Sequence, residues 1–550
     1  MKRFLSFSFA IIFLIMFVPK AYANGETIMR IGLYYGNSAI PAANLQNYVG
    51  SGYMFGYFDS SRSFVELGYT AVTKISMLKD TVMYRSGGEY SESSGETRVG
   101  AYHIDSGNSF YSFEDALFHA ESFKMQGIPA FPAYISGEYR VRIEHYSAEQ
   151  YAYEDISNLG IFGGSTVGGS SSCITVVNTD TAEILFEFDS NSSNYLGIMP
   201  LEAGNGKAQT WFKGYKYYGG FEYKRMSGNN ITVVNYVGIE DYVKGVIPYE
   251  MSPTWPTEAL KAQAVCARTF AVSRLNKHSS SGFDLCNGID CQVYRGTNSA
   301  TYASDTAVEE CAGLYATHEG SYIQTVYHSS NGGSTENAEN IWGENIPYLR
   351  AVPDNFEDLQ KATNGIWSFQ VTNSQLTSIL REKGYSVSSI RDAYVEEYTP
   401  AGNVLKLTFV DTSGQKYIFQ QERARTILNN SSIGITIHSQ RFYFGNSAPA
   451  DIYALNGDSV NREISSPAYI IGAGGEISTA PVDVYIMSAS GTEQFNKPTP
   501  AAETNGVYSI NGRGWGHNVG MSQWGARGMS EAGYDFEWIL KYYYTGITIR

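Results

Sequence analysis

With 550 residues, 43% of them hydrophobic, the chain is longer than one core normally supports, so several domains are expected. A formal net charge of −15 excludes nucleic acid as a partner, because that binding depends on clustered Lys and Arg neutralising phosphates. Five cysteines are too few for a disulfide scaffold at this length and leave at least one thiol unpaired, so stability has to come from packed cores.

The chain begins with Lys2 and Arg3, an uncharged and largely apolar run from Phe4 to Val18, then Pro19, Lys20 and Ala21-Tyr22-Ala23. This pattern predicts a secretory signal over residues 1–23. The run is shorter than the roughly 20 residues a spanning helix needs, which favours cleavage over retention as an N-terminal membrane anchor, the alternative. Everything after it is expected outside the cytoplasmic membrane, secreted or in the cell wall. Short apolar runs broken by Gly, Ser, Asn and Pro predict a small β-rich unit over 28–85, and the Ser/Gly/Glu-rich stretch 86–96 reads as a linker.

From Thr97 the pattern predicts strand (99–104), helix (112–125), two strands (128–135 and 139–146), helix (148–157) and a last strand near 174–177, a ferredoxin-like βαββαβ unit over 97–178. In this order, and in Ser112-Phe113-Glu114-Asp115-Ala116 and Gly137-Glu138-Tyr139-Arg140-Val141-Arg142, it resembles the sporulation-related repeat (SPOR) domain, a peptidoglycan-binding module. The alternative is an α/β spacer of the same topology. Residues 180–550 are expected to form one large mixed domain. Pro256 suits a first helical position, and Leu260, Ala264, Ala267, Ala271 and Leu275 share one face of a helix running to about Lys277. An inserted α/β subregion follows, with a helix at 375–383 and a strand at 404–410. The fold class is therefore α+β, β-rich and multidomain.

Glu250 stands between Val246, Ile247, Pro248, Tyr249 and Met251 on one side and Trp255 on the other. An apolar, aromatic surround raises a carboxyl pKa and suits it to donate a proton to a leaving oxygen. Arg268, on a helix otherwise lined with Ala, should meet a carboxylate or substrate, because burying it unpaired is costly. His278, Cys286 and Cys291, with Asp290 adjoining, offer zinc ligands; a Cys286–Cys291 disulfide is the rival reading.

The stretches Gly238-Ile239-Glu240-Asp241-Tyr242-Val243-Lys244-Gly245-Val246-Ile247-Pro248-Tyr249-Glu250-Met251 and Trp255 to Thr269, then Phe283 to Cys286, Cys291 to Gly296, Tyr327 to Glu336 and Gly512 to Gly528, resemble in order the stage II sporulation protein D family, related to the amidase enhancer LytB. The resemblance implies a lytic transglycosylase that cuts the β-1,4 bond between N-acetylmuramic acid and N-acetylglucosamine in peptide-stripped peptidoglycan, with Glu250 as acid/base and no cofactor for the chemistry. One carboxyl suffices there, because the sugar's own 6-hydroxyl attacks its anomeric carbon and leaves a 1,6-anhydro ring. The resemblance also implies that Arg268, with Lys261 beside it, binds glycan. Some relatives hold zinc with a His where this chain has Asp290, which leaves metal and disulfide both open.

His328, Ser329 and Ser330 are candidates to bind sugar hydroxyls and acetamides; no nucleophile elbow accompanies this Ser/His pair, which argues against a hydrolase triad. Trp342 and Tyr348 are candidate sugar-stacking rings. Arg513, Trp515, His517 and Gln523 are expected on the groove floor, with Asn518 replacing a glycine at positive φ. The competing function is a non-enzymatic, peptidoglycan-binding amidase enhancer, with a cell-wall amidase as partner.

Overall fold

A computed structural model describes residues 26–445 and 506–550, apart from 192–193, 205 and 227–229; between 446 and 505 only short backbone strands are described. The expected signal, 1–23, lies outside the described residues. The chain divides into two compact units, Met1–Tyr242 with His278–Cys286, and Val243–Lys277 with Asn287–Arg550. Both are rich in strands, giving a β-rich α+β, multidomain protein. Among the described residues no helix is long and apolar enough to cross a membrane.

The first unit is built on two sheets. One runs in the order Leu285–Cys286, Ile28–Tyr34, Ile231–Gly238, Gly220–Arg225, Leu196–Pro200, Tyr53–Phe58, Phe64–Thr70. Ile231–Gly238 is buried at every position, as its near-continuous Ile, Val and Tyr content dictates for a strand covered on both faces. Its Asn235 is satisfied inside the sheet, donating to the Tyr218 and Gly220 carbonyls at 3.1 and 2.9 Å.

The second sheet has ten strands, in the order Ser165–Gly168, Tyr102–Phe110, Glu138–Tyr146, Ala130–Ile135, Ile184–Asp189, Ile174–Asn178, Lys74–Lys79, Ala42–Val49, Gln209–Phe212, Tyr215–Tyr218. Its first four strands stand as 4-1-3-2 in chain order, and helices Phe113–Lys124 and Glu149–Asn158 pack Ala116, Ala120 and Ala152 into a core with Ile104, Val141 and Ile143. Ser112 caps the first helix, its hydroxyl accepting the Asp115 N–H at 3.1 Å. The fourth strand is Ser165–Gly168, not the run 174–177 expected from sequence. That run is buried at Ile174, Thr175, Val176 and Val177, so it needs neighbours on both sides and pairs with Lys74–Lys79 and Ile184–Asp189; the shorter, half-exposed segment takes the edge. Strands from the stretches expected as three separate domains thus share one sheet. The stretch expected as a linker carries the strand Glu89–Ser91, paired with Met83–Ser86 and anchored by buried Tyr90.

In the second unit helix Thr257–Ser273 forms the axis. Nearly every residue from Ala259 to Ala271 is buried, Lys261 being the exception, and its small side chains let neighbouring elements approach closely. It ends at Ser273, one turn short of the expected Lys277, and leaves Leu275 exposed. Helix Ile239–Glu250 accommodates Pro248 near its C-terminal end. Strands Ile366–Thr372, Ile390–Tyr398, Val404–Asp411 and Lys416–Gln420, with helices Asn373–Glu382 and Glu422–Thr426, gather around their own core as the inserted α/β subregion.

Asp284 locks the first unit. It is fully buried and accepts from Arg30 N at 3.0 Å, Arg30 Nη2 at 2.8 Å and Arg62 Nη1 at 2.7 Å. Asp284→Ala leaves two guanidinium groups without their counter-charge and is expected to cost about 3–5 kcal/mol, read as a lowered urea midpoint for the first unit.

Candidate active site

Helix Ile239–Glu250 delivers Glu250 as its last residue. Val246 and Ile247 hold the helix in the core, and Gly245 lets the Tyr294 ring close against it, since a Cβ there would lie 2.4 Å from that ring. The half-buried Glu250 carboxyl accepts the Val293 N–H at 3.0 Å on Oε1 and hydrogen bonds from Tyr327 and Gln523. Burial pushes its pKa above the ordinary carboxylate value, while these three donors pull it back without cancelling the rise. Among the described residues no charged group contributes to the shift.

The donors are themselves held. Buried Gln292 donates to the Ala267 carbonyl of the axial helix at 3.2 Å and accepts the Tyr327 hydroxyl at 3.0 Å. Gln523 reaches Gln263 of the same helix at 3.4 Å and opens helix Gln523–Glu531, whose N-cap Ser522 accepts the Gly525 N–H at 3.1 Å. Trp255 and Trp524 meet edge to face at 5.0 Å, with the Arg527 guanidinium 5.3 and 4.8 Å from their centres. The structure therefore brings Gln523 to Glu250 and adds Tyr327, Gln292 and Val293. All lie within the stretches singled out from sequence, yet only the tertiary fold shows that they converge.

His328 and His517 pack against each other at 5.3 Å, and Trp342 lies 5.1 Å from His517. Burial drives His328 well below its ordinary pKa and His517 to about 4, so both are neutral near pH 7. His517 Nδ1 accepts the Val519 N–H at 3.1 Å, which puts its proton on Nε2. Trp342 and Trp515 are 39% and 40% exposed and so remain open to a ligand, whereas the Tyr348 hydroxyl is engaged by the Gln324 N–H at 3.1 Å. Ser330 is buried and donates to Glu357 at 2.9 Å, and the Ser329 carbonyl accepts the Trp524 N–H at 3.0 Å. Arg513 ends strand Val507–Arg513, partly exposed, with Gly332 against its backbone. Asn518 adopts φ 64°, as its replacement of glycine required.

Two expected ligand-binding cations lie elsewhere. Arg268 is completely buried and donates to the Leu314 and Val308 carbonyls at 3.1 and 3.4 Å. It thereby satisfies acceptors around the C-terminal end of helix Tyr302–Glu310, where orphan carbonyls welcome a cation. Lys261 is matched by Glu258 at 2.9 Å and Glu310 at 2.6 Å. His278 and Cys286 fall in the first unit and Cys291 in the second. All five cysteines are free thiols. Beside Cys291, the Lys277 ammonium pairs with Asp290 at 2.9 Å and lies 3.7 Å from the sulfur.

Because burial raises the Glu250 pKa, ionising it costs folding free energy; the penalty is absent below the unfolded carboxyl's pKa and complete above the folded one. Glu250→Gln removes the penalty. The variant is expected to melt above wild type at about pH 8, with the difference gone by about pH 4, as followed by calorimetry.

The Stage II sporulation protein family signature matches residues 227–318, a stretch that contains Glu250, the axial helix and Gln292. An uncharacterized protein of Brachyspira hyodysenteriae is 30% identical over 366 residues, covering 65% of this chain and 80% of that protein. The amidase enhancer of Bacillus subtilis is 30% identical over 318 residues, 56% of this chain and 40% of the enhancer. Stage II sporulation protein D of Bacillus amyloliquefaciens is 26% identical over 336 residues, 58% of this chain and 76% of that protein. With a buried, uncharged-donor carboxyl set where its signature stretches meet, the chain belongs to the stage II sporulation protein D and amidase enhancer family.

Proposed function

We propose that this protein is a lytic transglycosylase of the cell wall, cutting the N-acetylmuramic acid to N-acetylglucosamine bond of peptide-stripped peptidoglycan outside the cytoplasmic membrane. Its family ties it to sporulation-linked work on the wall. The observation that carries the reading is Glu250, a single carboxyl of raised pKa with no charged neighbour among the causes of its shift. That suits a reaction in which one group first protonates the leaving oxygen and then takes the proton of the attacking 6-hydroxyl. Tyr327 has one hydroxyl hydrogen and two partners, Gln292 and Glu250. While Glu250 is protonated, Tyr327 gives its hydrogen to Gln292 and accepts from the carboxyl; once Glu250 has donated, the hydroxyl turns to steady the carboxylate.

Trp342, Trp515, Trp255 and Trp524 offer ring surface for sugar faces. The similarity to an amidase enhancer keeps glycan binding that stimulates a partner amidase as the second reading.

Glu250→Gln is expected to lower formation of 1,6-anhydro ends from peptide-free strands by about 10²–10⁴-fold while strand binding persists, checked by mass analysis of products. Unchanged cleavage would remove Glu250 from the chemistry, and strand binding without cleavage by either protein would favour the enhancer. Tyr327→Phe takes a donor from the carboxylate, so the alkaline limb of the pH–rate profile is expected to move upward.

A peptidoglycan-binding role for 97–178 belongs to the same reading. A cavity of about 400 Å³ there is lined by Asp105, Ser136, Glu138, Arg140, Arg142 and Ser165, among others. Because these strands are shared with the rest of the ten-stranded sheet, a point change is the appropriate probe: Arg140→Ala is expected to weaken sacculus binding and leave cleavage of soluble strands unchanged.

A further inference from the structure

Asp80, His103 and Glu187 meet in the interior of the first unit, far apart in sequence. Each offers one ligand atom, all three within 4.8 Å of one another, and all three residues are buried, at 3%, 0% and 0% exposure. Asp80 follows strand Lys74–Lys79, His103 lies on Tyr102–Phe110 and Glu187 on Ile184–Asp189. The last two are three places apart in the sheet, about 14 Å along a flat sheet at about 4.8 Å per strand. Yet His103 Nε2 and Glu187 Oε1 stand 3.0 Å apart, so the sheet curls to bring them together.

The hydrogen bonding around this cluster is incomplete in one direction. His103 Nδ1 lies 2.6 Å from the Glu144 carbonyl; a carbonyl only accepts, so Nδ1 carries a proton and a neutral ring leaves Nε2 as a bare lone pair. That lone pair faces Glu187 Oε1, also a lone-pair atom, and Nε2 has no aligned hydrogen-bond partner. Asp80 Oδ2 accepts the Ser170 N–H at 2.7 Å, but Oδ1 is buried and equally without a partner. Glu187 is steadied through its other oxygen by Arg142 and accepts the Thr175 hydroxyl at 3.0 Å. Two carboxylates thus face the buried Arg142 guanidinium, and Arg225 also acts on Asp80.

We propose that Asp80, His103 and Glu187 form a structural zinc site, in which one ion bridges His103 Nε2, Glu187 Oε1 and Asp80 Oδ1. An imidazole with two carboxylates is a zinc-type donor set, and an Nδ1–H held by a backbone carbonyl is the usual outer partner of a metal-bound histidine. Zinc–ligand bonds of about 2.0–2.2 Å place tetrahedral ligand atoms about 3.4 Å apart, so His103 Nε2 and Glu187 Oε1 would open slightly from 3.0 Å while the Asp80 carboxylate swings in by up to about 1.4 Å. A proton on Nε2 would instead pair with the Glu187 carboxylate 3.0 Å away, but it would leave Asp80 Oδ1 unsatisfied. The ion would staple the four-strand, two-helix segment to the rest of the curled sheet.

The test is zinc content of the full chain after equilibration with zinc and dialysis, measured by mass spectrometry for wild type, the near-isosteric Asp80→Asn, and His103→Gln. Both variants are expected to hold one equivalent per chain less than wild type; equal content would overturn the proposal in favour of an imidazolium–carboxylate cluster. The Cys286→Ser/Cys291→Ser variant separates this ion from any held by those thiols and serves if Asp80→Asn does not fold. It should retain one equivalent with a first shell of nitrogen and oxygen alone by X-ray absorption, and a variant holding no zinc would overturn the proposal.

Discussion

A carboxyl withdrawn from water with no cation beside it has to be met by neutral donors, and at Glu250 that requirement organises much of the second unit. Its donors come from Val293, Tyr327 and Gln523, three places widely separated in sequence, and each needs its own support. The axial helix supplies two of those supports, the Ala267 carbonyl for Gln292 and the Gln263 amide for Gln523. Two polar side chains in otherwise apolar packing, Gln263 and Gln292, are thereby explained. They form the second layer of the hydrogen-bond network around the carboxyl.

Glu250 was legible in the sequence because it interrupts an apolar, aromatic run beside a helix start, a local signal. Its partners were not, because Gln523 and Glu250 meet only through the tertiary fold. Arg268 shows a partner that sequence does not announce. The rule that a buried cation seeks a carboxylate or a ligand says nothing of the last carbonyls of a helix, which also accept a guanidinium, as the Val308 and Leu314 carbonyls do here. In the first unit helix caps and strand runs were readable one by one, yet the partner of Lys74–Lys79 is Ile174–Asn178. Pairing of that range leaves no local trace, so boundaries drawn from composition cut across a shared sheet.

Several residues of the Tyr327–Glu336 stretch hold backbone in place. Glu336 is fully buried and accepts from Asn337 N and Asn340 Nδ2, both at 2.8 Å, from Asn403 Nδ2 at 2.8 Å, and from the Thr399 hydroxyl. Glu357 gathers Ser330, Asn331 N at 2.7 Å, Gly332 N at 2.9 Å and Ser522; burial and the nearby Asp354 push its pKa to about 7. Neither Ser330 nor Glu336 is therefore open to a sugar. Through Glu357, Ser330 ties the loop carrying Tyr327 to Ser522, the residue before Gln523, which sets the spacing of two of the three donors around Glu250.

The two histidines contribute by their neutrality. His517 is hydrogen bonded to the Tyr327 backbone, and Tyr327 reaches Glu250, so a charge on that ring would be felt at the carboxyl. In the proposed reaction the departing sugar leaves positive charge at the anomeric carbon, and an imidazolium nearby would oppose it. Burial keeps both rings neutral and so withholds that opposition. Among the described residues no cation contributes at Glu250 either, which preserves its raised pKa. An acid able to give up a proton thus follows from a carboxyl met by the neutral donors of Val293, Tyr327 and Gln523.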